Sequence, residues 1–196
     1  MSEQESFTPS EAAVVSGLPV RAIQKAIDEG LLARGRKNRR RTLTAPDLFY
    51  LVTMKGFDPR LVKLTGKAKD ELRRSILARY ESGKVGTRSV SFGGLTLDFS
   101  AVSTQVRSSL SKLERARRMV VRDPEIRDGE PVIRGTRIPV YLVADLIEQG
   151  ADEDEILSGY PTLKRENLEL ARLYATAYPR RGRPPKHPWH LDKAVA

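Results

Sequence analysis

Four groups of side chains in this chain have the types and spacing for molecular recognition, and each contains arginine. Gln24 and Lys25 follow Arg21 at three and four residues, which places the three on one side of a helix. Arg pairs bidentately with guanine and Gln with adenine, so this set is equipped to read base edges in a major groove. Next come Arg34, Arg36, Lys37, Arg39, Arg40 and Arg41, six basic residues in a run of eight. A cluster of that density suits phosphate contact, which fixes position without reading sequence. Near the C-terminus, Arg180, Arg181, Arg183 and Lys186 stand beside Trp189. Guanidinium groups suit carboxylates, and an aromatic ring suits a desolvated pocket on a partner protein. The last group is the turn Arg134, Gly135, Thr136 and Arg137, whose arginines are expected to hold the turn through nearby Asp128 or Glu130.

Catalysis finds no comparable set. The two histidines, His187 and His190, lie in a proline-rich tail, and the acids from Asp152 to Glu155 are explained by helix capping. No Ser/His/Asp arrangement or phosphate-binding glycine loop is present. The chain is therefore expected to be no enzyme, with no catalytic residue, no metal, no cofactor and no small-molecule ligand. There are no cysteines, hence no disulfides or thiolate ligands. No window approaches about 18 consecutive apolar residues, and the first residues show no secretion signal. A cytoplasmic protein without membrane contact is the expectation.

The net charge of +10 is unevenly distributed. Residues 1–60 carry +3, 61–118 carry +8, 119–179 carry −5 and 180–196 carry +4. Polyanion contact is thus expected of the segments flanking an acidic globule.

The elements that must position these residues follow from periodicity and turn chemistry. Residues 1–64 read as a winged helix-turn-helix. Ser10 precedes a helix of about two turns carrying Ala12, Ala13 and Val14, and Gly17 suits a left-handed turn. Pro19 opens a second helix with a stripe of Val20, Ile23 and Ile27, stopped at Gly30. Residues 31–43 form a hairpin, the wing, whose tip holds the basic run. Asp47 to Met54 make a covering helix. Residues 65–118 read as a connector and possible dimerisation region. It contains a helical stripe of Leu72, Ile76 and Tyr80, and a hairpin of Val90, Phe92, Leu95, Leu97 and Phe99 around Gly93-Gly94. An amphipathic helix with Val102, Val106, Leu110 and Leu113 follows. A lone hairpin is marginal, so this one is expected to pair with a second copy of the chain, with the following module, or with Val120-Val121.

Residues 119–179 read as three short helices, a homeodomain-like trihelical module. The first has a stripe of Leu142, Val143, Leu146 and Ile147, and the second is capped by Asp152 with Glu155. The third carries Leu168, Leu170, Ala171, Tyr174 and Ala175, with Thr162 as its cap. Residues 180–196 form a basic, proline-rich extended tail. The fold class is mainly α with small β: a winged head, a central hairpin and helix, a trihelical module and a tail. The segment from about residue 87 onward is expected to survive loss of the head.

Residues 120–179 resemble, almost end to end, the bacterial module known as domain of unknown function 433. The resemblance rests on Asp123-Pro124, Gly129, Pro131-Val132, Gly135 to Val140, Gly150 and Tyr160-Pro161. Members of that family occur as antitoxins of the VapB type, encoded beside ribonuclease toxins of the PIN-like class. In this chain Lys164 stands where the family usually has a small hydroxyl residue before the third helix. Residues 7–64 resemble the DNA-binding head of MerR-type and excisionase-like regulators. The carriers are Ala12-Ala13, Gly17, Arg21 to Ile23, Gly30 to Leu32, Arg40-Arg41, Asp47-Leu48, Leu51 and Gly56-Phe57. Ala26 and Ile27 replace the usual aromatic pair, and no metal-sensing cysteines follow.

Together the resemblances imply a type II antitoxin that binds operator DNA, regulates its own transcription and neutralises a PIN-like ribonuclease toxin. They imply a homodimer, with the tail as the toxin-binding segment. Arg181-Gly182-Arg183-Pro184 also resembles the core of an AT-hook, which lies in a narrow minor groove; an inert solubilising tail is the third reading. The alternative function is a free-standing MerR/excisionase-like transcription regulator with no toxin.

Overall fold

Thr8 opens the first helix, α1 (Pro9–Ser16), through a reciprocal cap. Its hydroxyl accepts from the Glu11 N–H at 3.2 Å, and its own N–H donates to the Glu11 carboxylate at 2.7 Å. The helix thus begins ahead of Ser10, because Thr8 and Glu11 supply the matched pair. The computed structural model describes residues 6–32, 35–37, 40–57, 63–83, 89–92 and 94–180, with 35–37, 40 and 41 described by their backbone. Gly17 ends α1 at φ 67°, a left-handed conformation, and a β-carbon there would meet the Lys55 ammonium. Pro19 sits one residue outside α2 (Val20–Asp28), as its N-cap.

Three short strands complete the head sheet: β1 (Ser6–Phe7), β2 (Gly35–Lys37) and β3 (Arg40–Thr44), antiparallel in the order β1-β3-β2. Helix α3 (Ala45–Lys55) follows, with the Thr44 N–H and hydroxyl both donating to Asp47, at 2.9 and 2.7 Å. Seven consecutive α3 residues, Asp47 to Thr53, are buried. A helix apolar all round has to be central, and α3 packs against α1, β3 and two later helices.

The first of these is α4 (Gly66–Glu81), capped by Thr65, with Leu72 and Ile76 inward. Tyr80, expected in the same stripe, is exposed instead, as is Leu77. Strands β4 (Ser89–Phe92) and β5 (Leu95–Asp98) form the expected hairpin in the expected register, Phe92 opposite Leu95. Val90 and Phe92 are buried, but Leu95 is exposed, so the period-two pattern holds on β4 and fails on β5. The hairpin's cover within the chain is α4. Val120-Val121 are not its partner, since they form β6 (Val120–Val121), paired with β7 (Val132–Ile133).

Helix α5 (Ser100–Met119) joins two hydrophobic cores. Phe99, Val106 and Leu113 belong to the head core, where the Phe49 and Phe99 rings stack at 5.7 Å. Ala116 and Met119, at the end of α5, belong to the module core. Beyond α5 come β6, a 3-10 turn at Arg127–Gly129, β7, and the helices α6 (Val140–Glu148), α7 (Glu153–Gly159) and α8 (Arg165–Ala177). In α6 the buried side is Val140, Tyr141, Val143 and Ala144. Of the expected stripe, Val143 is buried and Leu142, Leu146 and Ile147 are half-buried. Asp152 caps α7 as expected, accepting from the N–H groups of Asp154 and Glu155 at 2.8 and 3.3 Å. Thr162 does not cap α8. Lys164 occupies the N-cap position and has no acceptor, so the cap works from the inside: Asn167 Oδ1 accepts the Lys164 N–H at 2.7 Å. Among the described residues no helix is long and apolar enough to cross a membrane.

Candidate nucleic-acid interface

Helix α2 divides cleanly into two faces. Ile23 and Ile27 are buried in the head core, while Arg21, Gln24 and Lys25 are exposed. Lys25 pairs loosely with Glu29 at 3.7 Å, one turn on, with both side chains in solvent. The three-residue step from α1 to α2 is fixed by Gly17 and by Ser16, whose buried hydroxyl donates to the Ala12 carbonyl at 2.7 Å. The turn leading from α2 into the sheet is anchored by buried Leu32. In the ribbon of β2 and β3, Arg36 pairs with Arg41 and Lys37 with Arg40. Four of the six basic wing residues therefore occupy two successive registers. Arg34 and Arg39 lie outside the described residues.

Behind this face lies a buried polar cluster that the sequence reading did not identify. The Glu11 carboxylate accepts from Arg117 Nη2 at 2.7 Å and from the Tyr178 hydroxyl at 2.6 Å. Arg117 also donates to Tyr178 and to Glu114. Glu11 is on α1, Arg117 on α5, and Tyr178 ends α8, so one carboxylate ties the head to the connector and the module. Burial alone would raise the Glu11 carboxyl, but hydrogen bonds from Tyr178, the Thr8 N–H and Arg117 outweigh it and hold it below its ordinary value. Tyr178 is pushed well above the usual phenol range, first by burial and then by its bond to Glu11. The Tyr141 hydroxyl donates to the Tyr178 carbonyl at 2.6 Å, which fixes the end of the module. Two signals pointed here: the Thr8-x-x-Glu11 spacing, and an arginine four residues after Leu113 on an otherwise apolar stripe.

Three of the five basic residues of α5 have a local destination. Lys112 pairs with Glu169 at 2.6 Å, Arg115 pairs with Glu166, and Arg117 is held by Glu11 and Glu114. The Lys112 and Arg115 side of α5 and the Glu166 and Glu169 side of α8 are thus complementary. On the module, Arg165 bridges Glu153 and Asp154 at the start of α7. Arg180 is likewise engaged within the chain. Its guanidinium lies 4.7 Å from the centre of the Tyr141 ring and 3.1 Å from Asp145. Arg181, Arg183, Lys186 and Trp189 lie outside the described residues, as do His187 and His190.

The turn Arg134 to Arg137 is a four-residue loop closed by Ile133, whose N–H donates to the Ile138 carbonyl at 2.9 Å. Gly135 takes φ 77°. The Thr136 hydroxyl donates to the Ile133 carbonyl at 2.8 Å and accepts from the Ile138 N–H at 3.0 Å. Arg134 does not reach Asp128 or Glu130, as the sequence suggested. Its Nε donates to the Arg118 carbonyl at 2.8 Å and its N–H to the Met119 carbonyl at 2.7 Å. Glu130 is instead paired with Arg127 at 2.9 Å. Arg137 is exposed. Among the described residues no group of His, Cys, Asp and Glu is placed to hold a metal ion.

Residues 120–175, from β6 into α8, match the family model described as "Protein of unknown function (DUF433)". A protein of Sinorhizobium fredii (strain NBRC 101917 / NGR234), described as "Uncharacterized protein y4eO", is 32% identical over 187 residues, covering 91% of this chain and 84% of that protein. The chain belongs to the y4eO family. The likeness within the y4eO family spans far more than the DUF433 region and so takes in most of the head and connector. The X-ray crystal structure of Rv2018 from Mycobacterium tuberculosis is a distant likeness, with a TM-score of 0.35 and 16% identity over 85% of this chain and 96% of that one.

Proposed function

We propose that this protein is the antitoxin of a type II toxin–antitoxin pair, binding operator DNA through its head and a PIN-like ribonuclease through its module and tail. The head is read as a winged helix-turn-helix, with α2 as the helix entering the major groove and the β2–β3 ribbon as the wing. The observation that carries this reading is the exposed Arg21, Gln24 and Lys25 face of α2, leading directly into a ribbon with basic residues at successive registers. Helices α6, α7 and α8 are read as a homeodomain-like unit that binds protein rather than DNA. Its residues 119–179 carry −5, and Lys112 and Arg115 of α5 are already paired with two of its acids. The protein is taken to act as a cytoplasmic homodimer that represses its own transcription, without enzymatic activity.

The antitoxin half rests on the DUF433 region at 120–175, which resembles modules of VapB-type antitoxins. Its test is inhibition of the ribonuclease encoded beside it, by the full chain and by a chain ending at Arg180. Inhibition by the full chain, lost on truncation with operator binding retained, is the expected result. Operator binding without any inhibition by either chain favours a free-standing MerR/excisionase-like regulator. Equal inhibition by both chains moves toxin binding from the tail to the module.

A further inference from the structure

Among the described residues, six arginines of the module and its neighbouring helix, Arg107, Arg118, Arg122, Arg134, Arg137 and Arg172, are exposed and in no ion pair. Five others, Arg115, Arg117, Arg127, Arg165 and Arg180, each meet a carboxylate within the chain. Of the six, Arg118, Arg134 and Arg137 share one corner. Arg134 and Arg137 are the first and last residues of the loop closed by Ile133 and Ile138, and Arg134 is bonded to the carbonyl of Arg118. Arg134 and Arg137 belong to a segment with twelve acidic residues and Arg118 immediately precedes it, yet among the described residues no carboxylate pairs with any of the three.

The corner is also rigid. The Thr136 hydroxyl bridges the loop from inside, and β6 and β7 pair directly beneath it. Because Nε of Arg134 is bonded to the Arg118 carbonyl, its two terminal nitrogens are the pair left for a ligand, in the end-on fork that suits a carboxylate. Little ordering entropy then remains to oppose binding.

We propose that Arg118, Arg134 and Arg137 form a docking site for a carboxylate-bearing segment of a protein partner. A carboxylate and a phosphate share the required chemistry, but the surroundings separate them. Duplex DNA carries a charge about every 1.7 Å, so a duplex laid on the module would bring many phosphates against its net −5. A short acidic segment needs only the corner. The inference concerns the module's own surface and stands whether or not the partner is a ribonuclease.

The test uses the full chain and two probes at matched ionic strength: a fluorescein-labelled hexaglutamate peptide and a labelled 20-base-pair duplex. Arg118→Gln with Arg137→Gln leaves the Arg134 bonds in place, so the module should stay folded, as its thermal melt would report. This double variant is expected to weaken peptide binding at least tenfold and leave duplex binding within twofold. Arg134→Lys keeps the charge but loses the fork, and is expected to weaken the peptide several-fold. The wing variant Arg39→Ala, Arg40→Ala, Arg41→Ala should show the opposite pattern. Unchanged peptide affinity in a folded Arg118/Arg137 variant overturns the proposal. So does a loss confined to the duplex, which would assign the corner to nucleic acid.

Discussion

Glu11 answers to both halves of the chain, and its surroundings make its behaviour with pH predictable. A buried carboxylate holding an arginine and a phenol contributes stability only while ionised. Its folded value is depressed, so the contribution is fully present above the unfolded glutamate value of about 4.3. It fades as pH falls through the lower, folded value. Glu11→Gln should therefore be destabilised by about 2–3 kcal/mol at pH 7, and the gap to the parent chain should narrow steadily in urea melts below about pH 4. A gap of the same size at acid pH would mean that Gln disturbs packing rather than charge. Tyr178→Phe removes one donor from Glu11 but keeps the ring against Tyr174, tilted by 44° with centroids 4.8 Å apart. Its expected loss is smaller, about 1–2 kcal/mol, because hydrogen bonds to charged groups fall in that range or slightly above.

At the scale of elements, the proposed DNA-binding role divides recognition between α2 and the wing. Arg21→Ala or Gln24→Ala should each cost about 1–3 kcal/mol on the preferred operator and less on random duplex. Equal losses on both would remove them from base readout. Neutralising Arg39, Arg40 and Arg41 should flatten the slope of log K against log salt by about 0.9 for each phosphate that the wing no longer neutralises. For the exposed bases of α5 the ordering is reversed: charge matters little beside the packing of the helix. Lys112→Ala and Arg115→Ala, exposed partners of Glu169 and Glu166, should each cost less than about 1 kcal/mol. Leu113→Ala, fully buried between α5 and the head, should cost about 3 kcal/mol in thermal or urea unfolding.

These elements also show what could be read from residues alone. Local patterns carried through: the β4–β5 register around Gly93-Gly94, the Asp152 cap, and the Ile23 and Ile27 stripe with its polar opposite face. What failed depended on partners distant in sequence. The pairing of Lys112 and Arg115 with Glu169 and Glu166 was not legible, because these acids lie more than fifty residues from their bases. Tyr141 is buried where Leu142 was expected, because its hydroxyl finds the Tyr178 carbonyl and polarity alone marked it as outward. The hairpin needed a cover, and nothing in its own residues identified α4 as that cover.

For the whole molecule, the decisive feature is that α5 runs through both cores. A chain beginning near residue 87 was expected to stand alone, but it would strip α1 and α3 from Phe99, Val106 and Leu113. It would also leave Arg117 and Tyr178 without Glu11. Such a chain should aggregate or melt well below the full protein, as light scattering and circular dichroism would show. By the same logic, probes in the head and in the module should report one coincident unfolding transition. Two separated transitions would mean that the cores share a helix without sharing stability.

The distance in sequence between Glu11 and Tyr178 also has a consequence in time. The two are 167 residues apart, and a chain grows at about 5–20 residues per second, so some 10–30 s separate their synthesis. For that interval the nascent head has its helices but lacks the phenol that completes the Glu11 pocket. Only the last turn of the module closes it.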